Sequence, residues 1–407
     1  MWSRDRMGHD LLDHHVTGRG PARRSPGAAR AADRVGSSRI RELLDLVDRP
    51  DVRSLAGGLP DVSLLDPDRV HAAFEAALAA TGPLGPTALQ YGPTAGIAPL
   101  REHLAGELGV GPADVVVTTG SQQALDLLAR SLCAPGDVVV LEEPAYLGAV
   151  QAFRSADAWL LGVPGDDRGM DVDALASLID DGVRPAVVYV VADHHNPTGS
   201  VLSPGRRARL LELADRVGAV VVEDAAYRDV HWGPPTRALH GRGARVVHVG
   251  SSSKVLAPGL RVGWMTGPED VVAAVARLKQ SADLHTPTAN QLVVAHLLTD
   301  GHQPAHLERL RRTSRERSIA LATALRERLG DRVTVDVPDG GMFLWLRARD
   351  GTDTDELLAR ALAHGVALVP GSAFTLDGRP TTNARLSFAT LAPELLVDAA
   401  DRLDRAW

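Results

Sequence analysis

The middle of the chain alternates short, continuous apolar runs with stretches of helical spacing. The apolar runs are Val115–Val117, Val138–Leu141, Ala186–Val191, Val220–Val222 and Val246–Val249, and the helical stretches are Gln122–Leu132, Tyr146–Arg154, Leu175–Ile179 and Ala208–Val217. Strands that are apolar on both faces are typical of a sheet covered by helices on both sides, and regular alternation with helices favours parallel strands. The pattern therefore predicts an α/β fold with a large domain, in which a mostly parallel sheet of about seven strands is sandwiched by helices.

The pattern changes towards both ends of the chain. The N-terminus lacks periodicity and is rich in Arg, Gly, Pro and His, whereas Leu307–Leu329 reads as a long charged helix followed by shorter elements. The long helix and the shorter elements after it predict a smaller α+β domain, to which an N-terminal segment also contributes. We therefore divide the chain into a disordered or loosely attached extension (1–36), an N-terminal helix and covering segment (37–90), a large domain (91–300) and a small C-terminal domain (301–407).

Composition narrows the class of protein. The 407 residues are 44% hydrophobic and 23% charged, which is typical of globular proteins with a large core. The net charge of −7 gives no reason to expect a nucleic-acid partner. No apolar run is long enough for a membrane span or a signal peptide, so we expect a soluble, cytoplasmic protein. The single cysteine, Cys133, excludes an intramolecular disulfide, and the histidines show no paired metal-ligand spacing, so no metal is predicted.

Polar and small residues follow the apolar runs at the points where the predicted strands end. These segments are Thr119–Gln123, Glu142–Tyr146, His194–Gly199, Glu223–Tyr227 and Ser251–Arg261. A small-residue turn that opens a helix suits a phosphate group, although taken alone the first segment is equally well explained by Ser121 as an ordinary helix cap. Together the segments supply a phosphate-binding turn, an aromatic ring, an amide, a carboxylate with a phenol, and an amine with an arginine. That combination matches the cofactor pyridoxal 5′-phosphate.

The chemistry of this cofactor assigns a role to each side chain. Its aldehyde needs a lysine, and of the two lysines in the chain Lys254 lies at a strand end, whereas we expect Lys279 on the exposed face of a helix. Asp224 would keep the pyridine nitrogen protonated, and Asn196 and Tyr227 would donate to the phenolic oxygen. The remaining cofactor contacts are Ser121, Gln122, Ser251, Ser253 and Arg261 for the phosphate, with Tyr146 stacked on the ring.

Ten segments, in a characteristic order and spacing, carry a resemblance to a known family. They read SRIRELLDLVDRPDVRSLAGGLPD, LQYGPTAGIAPLR, TTGSQQALDLL, PGDVVVLEEPAYLGAVQAF, HHNPTG, VVEDAAY, SSSKVLAPGLRVGW, GGMFLWL, LVPGSAF and ARLSFA. From about Ser38 to the C-terminus the sequence resembles the fold type I, class I/II pyridoxal-phosphate aminotransferases. Within that family it is similar to the subgroup of 2-aminoadipate and kynurenine aminotransferases and of MocR-type regulator effector domains.

The resemblance implies functions for residues at matching positions. Lys254 would bind the cofactor covalently and transfer the proton, with Asp224 and Tyr227 as its catalytic neighbours. Arg385 matches the family's clamp on the substrate α-carboxylate, beside Asn196. These positions imply an amino-acid and 2-oxo-acid pair as substrates.

Two further parts of the resemblance concern segments far from the strand ends. Tyr91 matches a residue that reaches the phosphate of the neighbouring subunit, so the active site would be complete only in a homodimer. The N-terminal helix and the Gly-Gly-Leu-Pro loop would cover the active site, which makes Arg41 and Gly58 candidates for substrate contacts. Arg41 is equally well interpreted as a solvated helix arginine.

A few positions leave the interpretation open. His195 stands where this subgroup commonly has Gln, and it is either a donor behind the site, a substrate contact or a surface-loop histidine without a role. Trp232 and Trp345 would form an apolar wall of the site or pack in the core.

Three functions compete for this sequence. A transaminase working by ping-pong exchange is the leading hypothesis. A lyase, decarboxylase or oxidase using the same cofactor remains open, because one fold hosts many reactions. An effector-sensing regulator of the MocR kind would need a DNA-binding domain ahead of Ser38, and no such sequence pattern is present.

Overall fold

A computed structural model describes residues 51–79, 87–241 and 245–407. The predicted helix around Ile40 and the candidate residue Arg41 lie outside these ranges. Within the described ranges, no helix combines the length and the apolar composition needed to cross a bilayer.

The described residues form alternating strands and helices. The strands are β1 (Arg53–Ser54), β2 (Val115–Thr118), β3 (Val138–Glu143), β4 (Trp159–Asp166), β5 (Gly169–Met170), β6 (Pro185–Val190), β7 (Val220–Asp224), β8 (Val246–Ser251), β9 (Gly263–Thr266), β10 (Val333–Val335), β11 (Phe343–Ala348), β12 (Val366–Ala367), β13 (Val369–Pro370) and β14 (Asn383–Ser387). The helices are α1 (Pro67–Leu78), α2 (Ala98–Leu108), α3 (Gly120–Leu132), α4 (Leu147–Ser155), α5 (Val172–Asp180), α6 (Pro204–Val217), α7 (Glu269–Ala282), α8 (Thr288–Thr299), α9 (Gln303–Leu329), α10 (Thr354–Ala363) and α11 (Pro393–Ala406).

The large sheet has the strand order β2-β9-β8-β7-β6-β3-β4-β5. Strands β3, β4, β6, β7 and β8 pair in parallel, whereas β9 is antiparallel to both β8 and β2, so β2 runs in the same direction as the parallel set. The short β5 adds an antiparallel edge. The predicted α/β fold with a mostly parallel, helix-covered sheet is confirmed, and the carboxyl ends of six strands meet at one edge.

The large sheet is apolar on both faces because helices cover both. Leu128 of α3, Phe153 of α4 and Val275 of α7 pack in one buried cluster against the sheet. Leu175 of α5 and Leu210 of α6 belong to a cluster on the other side. The continuous Val-rich runs seen in the sequence are the direct consequence of this two-sided burial.

The C-terminal part forms a separate antiparallel sheet of the order β10-β11-β14-β13. Helices α9 and α11 cover it through residues such as Leu325 and Leu403, which are fully buried. Strand β1 pairs in parallel with β12, so the segment at Arg53–Ser54 joins this smaller unit. The predicted α+β character and the N-terminal contribution both appear in this arrangement.

Two strands of the large sheet are not among the predicted strands. Strand β4 is exposed at Trp159 and only partly buried over much of its length, although Leu160, Leu161 and Val163 are apolar. Strand β9 is four residues long and begins at Gly263, and it enters the sheet antiparallel to its neighbours. Strand β4 is fixed in the sheet by parallel pairing with β3, and β9 by antiparallel pairing with β8 and β2.

Candidate active site

A cavity of about 200 Å³ opens at the edge where the parallel strands end. It is lined by Leu59, Ser121, Gln122, Tyr146, Val191, Asp224, Ala226, Tyr227, Ser251, Ser253, Lys254, Pro258 and Arg261. The strand ends therefore bring together most of the side chains that the sequence selected for the cofactor. Asn196 adjoins the cavity through Tyr227, whose hydroxyl accepts a hydrogen bond from Asn196 Nδ2 at 3.2 Å.

The end of β7 carries two successive buried carboxylates that have different surroundings. Glu223 accepts hydrogen bonds from Arg228 at 3.1 Å and from the Leu239 N–H at 2.9 Å, and it pairs with His248 at 3.0 Å. Burial alone would raise the pKa of Glu223, but these partners hold it well below its ordinary value. Because side chains alternate across a strand, Asp224 points to the opposite side, into the cavity.

Asp224 is 3% exposed and has no comparable set of cations. Its carboxylate accepts hydrogen bonds from the Tyr189 hydroxyl at 2.9 Å and from the Ala226 N–H at 3.1 Å. Among the described residues no ion pair forms with this carboxylate, and burial raises the pKa of Asp224 against the opposing effect of these hydrogen bonds and of the Lys254 charge. A buried carboxylate at the rim of a cavity is a site for a ligand that brings its own N–H cation.

Lys254 lies just beyond β8, within the cavity. Its Nζ donates a hydrogen bond to the Gly58 carbonyl at 2.8 Å and lies 5.7 Å from the centre of the Tyr227 ring. Burial, together with the positive charges of Arg385 and Arg261, lowers the pKa of Lys254 to about 8. A larger share of this amine than of an ordinary lysine is therefore uncharged and nucleophilic near neutral pH.

Arg385 is held on β14 and is 2% exposed. Its Nη1 donates to Asn196 Oδ1 at 2.9 Å and its Nη2 to the Ala56 carbonyl at 2.8 Å, while Nε has no hydrogen-bond partner among the described residues. The guanidinium stacks on Phe343, 4.2 Å from the ring centre, and burial lowers the pKa of Arg385 to about 10. With no carboxylate in contact within the described chain, this guanidinium is available to a ligand anion.

The turn that opens α3 lies close to the guanidinium of Arg261 and to β9. Gly120 has a φ of +74°, and a Cβ at this position would collide with the guanidinium of Arg261. Gly263 of β9 allows a similarly close approach, since its Cβ would lie 2.7 Å from the Ser121 nitrogen. The free N–H groups at the start of α3, the hydroxyls of the β8 end and Arg261 therefore converge on one anion-binding pocket.

Two tyrosines from the sequence prediction lie in different environments. Tyr146 lines the cavity, with its hydroxyl 3.5 Å from Gln122 Oε1, and burial raises its pKa to about 12. Tyr91 lies outside the cavity and is 79% exposed, with its ring edge-on to His285 at 5.9 Å. The described chain thus presents Tyr91 outward and away from its own cavity.

His195 is not a surface histidine. It is 1% exposed, its Nδ1 is 2.9 Å from Thr198 Oγ1, and burial lowers its pKa to about 3. Glu142, 3.9 Å away, is also buried, and that burial raises its pKa to about 8. His195 is therefore a buried residue of the loop that presents Asn196 and lies near Glu142, so the surface-loop interpretation is wrong.

Lys279 is not on an exposed face, which corrects the sequence prediction. It is fully buried at 0% exposure, and its Nζ donates to both carboxylate oxygens of Asp283, at 2.8 and 2.9 Å. Helical spacing placed Lys279 on the polar side of α7, but that side packs against the start of α3. The ion pair with Asp283, four residues later, makes this burial tolerable.

The two tryptophans follow the core interpretation. Trp232 packs edge-on to Phe388 in the small-domain core and donates to the Pro338 carbonyl at 2.8 Å. Trp345 packs against Phe374, whose ring also lies 5.1 Å from the Arg385 guanidinium. Phe374 therefore contacts a candidate substrate-binding group, and Trp345 lies directly opposite Arg385 in the pairing of β11 with β14.

The residues present fit pyridoxal 5′-phosphate. Asp224 is a buried carboxylate without a cationic partner in the described chain, Gly120 lets the Arg261 guanidinium approach the turn at the start of α3, and Lys254 is an amine with a lowered pKa in the same cavity. Arg385 supplies a separate, unpaired guanidinium.

The chain was compared with known families and proteins. Residues 63–403 match the family model described as aminotransferase class I and II. The chain belongs to this family. The cofactor of this aminotransferase is accordingly pyridoxal 5′-phosphate, and its fold is the fold type I architecture of that family.

Relatives of this aminotransferase include enzymes with named substrates. The 2-aminoadipate transaminase of Thermus thermophilus is 41% identical over 388 residues, covering 94% of this chain and 96% of the relative. Aromatic-amino-acid aminotransferase 1 of Thermococcus litoralis is 36% identical over 380 residues, covering 90% of each chain. The structure of LysN, the alpha-aminoadipate aminotransferase of Thermus thermophilus, complexed with N-(5'-phosphopyridoxyl)-L-leucine, has a TM-score of 0.87 at 39% identity and covers 93% of this chain and 96% of that one.

Sequence reasoning missed three residues of this site. Tyr189 contacts Asp224 from within β6, and Phe343 and Phe374 flank Arg385. The sequence does contain a hint for Tyr189. It is the one residue with a polar tip in an otherwise aliphatic strand, and it is the only one of the chain's four tyrosines that lies outside the segments singled out for the cofactor. The two phenylalanines lie in apolar stretches of the small domain, where nothing in the sequence distinguishes them from core residues.

The lowered pKa of Lys254 can be tested with only two lysines in the chain. When cofactor-free protein is pulsed with acetic anhydride at a series of pH values and analysed by peptide mass spectrometry, labelling of Lys254 should rise with a midpoint near pH 8, because the neutral amine predominates above its pKa. Lys279 serves as the internal control and should stay unlabelled, since it is buried and paired with Asp283. A Lys254 midpoint near 10.5, the ordinary lysine value, would contradict the account.

Proposed function

We propose that this aminotransferase exchanges the amino group of an L-amino acid with a 2-oxo acid by a ping-pong mechanism, with Lys254 as cofactor attachment and proton carrier. The observation that carries the proposal is the arrangement of three groups around one cavity: an amine of lowered pKa, a buried carboxylate without a cation, and a buried guanidinium without an anion. When bound, pyridoxal 5′-phosphate supplies an aldehyde that takes up the amino group and a ring that withdraws electrons from the substrate Cα–H bond.

The protein residues then have defined tasks. Lys254 Nζ would accept the proton from the substrate Cα and then donate it back, a role that its lowered pKa favours near neutral pH. Asp224 holds a proton on the ring nitrogen by charge, and Tyr189 orients that carboxylate. Asn196 and Tyr227, already hydrogen-bonded to each other, would fix the phenolic oxygen.

Arg385 is proposed to bind the substrate α-carboxylate. Its Nη1 is oriented by Asn196, which ties the carboxylate site to the cofactor site through Tyr227. Stacking on Phe343 and Phe374 keeps the guanidinium planar fork in place while leaving an edge free. Gly58, whose carbonyl receives Lys254, belongs to the covering loop beside this position. The relative's substrate, 2-aminoadipate, is the first amino donor to test.

We also propose that the enzyme is a cytoplasmic homodimer with shared active sites. Tyr91 is exposed and points away from its own cavity, yet its loop is firmly anchored: the Gly92 N–H donates to His285 at 3.2 Å, and Thr288 donates to the Gln90 carbonyl at 3.3 Å. A large exposed aromatic ring on a fixed loop suits a contact with a second copy of the chain. The partner's phosphate is the proposed ligand of the Tyr91 hydroxyl.

The substitution Arg385→Lys tests the exchange reaction and the carboxylate site together. Mixing the wild-type holoenzyme with 2-aminoadipate, in the absence of any acceptor, should change the absorbance of the bound cofactor and release one equivalent of 2-oxo acid per site. Adding a second 2-oxo acid should restore the original cofactor absorbance. In Arg385→Lys the amino-acid concentration for half-maximal conversion should rise by about 100-fold, because a point charge cannot replace a two-pronged hydrogen-bond donor.

Cofactor affinity is the control for this variant, and it should change little because Arg385 does not line the cavity and is linked to it through Asn196. An equal loss of substrate and cofactor affinity would contradict the role of Arg385. Release of carbon dioxide or consumption of oxygen without 2-oxo acid from a panel of amino acids would contradict transamination itself.

Mixed dimers test the shared site. A dimer of one Lys254→Ala subunit and one Tyr91→Ala subunit has one site with an intact Lys254, and this site receives an intact Tyr91 only if Tyr91 acts across the interface. Co-expressed, differently tagged subunits purified as the mixed dimer should therefore have about half of the wild-type activity. Activity of about half that of the Tyr91→Ala homodimer would place Tyr91 in its own subunit's site, because only one impaired site would then remain.

A further inference from the structure

A buried polar network lies behind the anion-binding turn, outside the cavity. Its centre is Lys279 on α7, whose Nζ donates to Asp283, to Gln123 Oε1 at 2.9 Å and to Thr286 Oγ1 at 3.1 Å. The ammonium therefore has three kinds of oxygen partner at hydrogen-bond distance and no exposure to solvent. A fully buried ammonium is costly, so the fold must hold these partners in fixed positions around it.

The partners of Lys279 form hydrogen bonds with Thr119, the residue just before the anion-binding turn. Gln123 Oε1 accepts a hydrogen bond from the Thr119 N–H at 2.7 Å, and Gln123 Nε2 donates to Asp283 Oδ2 at 2.6 Å. Thr119 Oγ1 also donates to Asp283 Oδ2, at 3.0 Å. Thr119 directly precedes Gly120 and Ser121, and its carbonyl accepts from Arg261 Nη2 at 3.4 Å. The residue before the turn is thus fixed at its N–H, its hydroxyl and its carbonyl.

The same network continues on its other side to the Tyr91 loop. Thr286 Oγ1 lies 3.3 Å from Thr119 Oγ1, and the Thr286 carbonyl accepts from Gln291 Nε2 at 2.6 Å. Gln291 Oε1 in turn accepts from the Ile97 N–H at 2.9 Å, and the adjacent His285 holds the Gly92 N–H. The segment from Asp283 to Gln291 therefore contacts both the turn that binds a phosphate in this subunit and the loop proposed to reach the partner's phosphate.

We propose that Lys279 is a positioning residue for phosphate binding: with Asp283 it fixes the Thr119–Ser121 turn and, through the segment that follows, the Tyr91 loop. It touches neither cofactor nor substrate, and it acts by holding the N–H groups at the start of α3 in register with Arg261. The part that concerns the Tyr91 loop rests on the proposed dimeric function, whereas the part that concerns the turn does not.

The test is the affinity of cofactor-free protein for two ligands, pyridoxal 5′-phosphate and pyridoxal, which lacks the phosphate. In Lys279→Met the dissociation constant for pyridoxal 5′-phosphate, measured by titration calorimetry, should rise by about 10-fold to 100-fold, while that for pyridoxal should change by less than about 3-fold. Loss of the phosphate contacts, and not of the lysine and ring contacts, is the reason. If Lys279→Met does not fold, Lys279→Gln, which keeps a hydrogen-bond donor, takes its place.

A matched control separates positioning from mere stabilisation. Arg69 and Asp300 form a comparable ion pair at 2.6 Å that is almost as buried and lies between α1 and the end of α8, away from the cavity. Arg69→Met should lower the urea midpoint of unfolding as Lys279→Met does, yet leave the ratio of the two dissociation constants unchanged.

Two outcomes would overturn the proposal. Equal weakening of both ligands in Lys279→Met would assign Lys279 a general structural role, and unchanged dissociation constants for both ligands would show that the turn keeps its geometry without it. Neither outcome depends on turnover or on the dimer, so the failure of this proposal is distinguishable from the failure of the proposed function.

A double variant tests the link to the Tyr91 loop. Adding Tyr91→Ala to Lys279→Met should lower the affinity for pyridoxal 5′-phosphate less than Tyr91→Ala does in the wild-type background. Fully additive losses of affinity would overturn the link to the Tyr91 loop.

Discussion

The site depends on one uncompensated buried charge. Asp224 ends the central strand β7 inside the apolar sheet edge, where a carboxylate is costly, and its only fixed partners in the described chain are two hydrogen-bond donors. Its neighbour Glu223 has the cations that Asp224 lacks. The protein therefore keeps one carboxylate neutralised for structure and leaves the next one to be neutralised by a ligand. A pyridine nitrogen, which becomes an N–H cation on protonation, would complete that site.

The other buried charges in and around the cavity follow the same division between charges left for a ligand and charges paired within the protein. Arg385 is a buried guanidinium that stacks on phenylalanine and bonds to an amide and a carbonyl, so its charge is available to a substrate carboxylate. Burial, together with the charge of this guanidinium, lowers the pKa of Lys254 to about 8. Where a charge is purely structural, as at Lys279, the fold supplies the counter-ion itself. Unpaired buried charge thus distinguishes groups that meet ligands from groups that hold the framework.

The sequence predicted the sheet and most of the cavity because both depend on local signals. Val-rich runs mark strands buried on both faces, and polar residues just beyond them must converge at one edge of a parallel sheet. The same reasoning failed for Lys279, since helical spacing cannot show that a charged residue faces another helix. It also passed over Tyr189, whose ring packs like its apolar neighbours against Phe153 while its hydroxyl reaches Asp224. Contacts between distant segments decide such residues, and periodicity does not report them.

The central claim is that the Asp224 charge, rather than its shape, makes the cofactor effective. The direct measurement is exchange of the substrate α-hydrogen with solvent deuterium, followed by NMR, in the wild-type holoenzyme and in Asp224→Asn. The amide keeps the size of the carboxyl, so cofactor should remain bound, but exchange should slow by at least about 100-fold because the ring nitrogen is no longer held in its protonated form. Exchange at the wild-type rate in a cofactor-loaded Asp224→Asn enzyme would contradict the account.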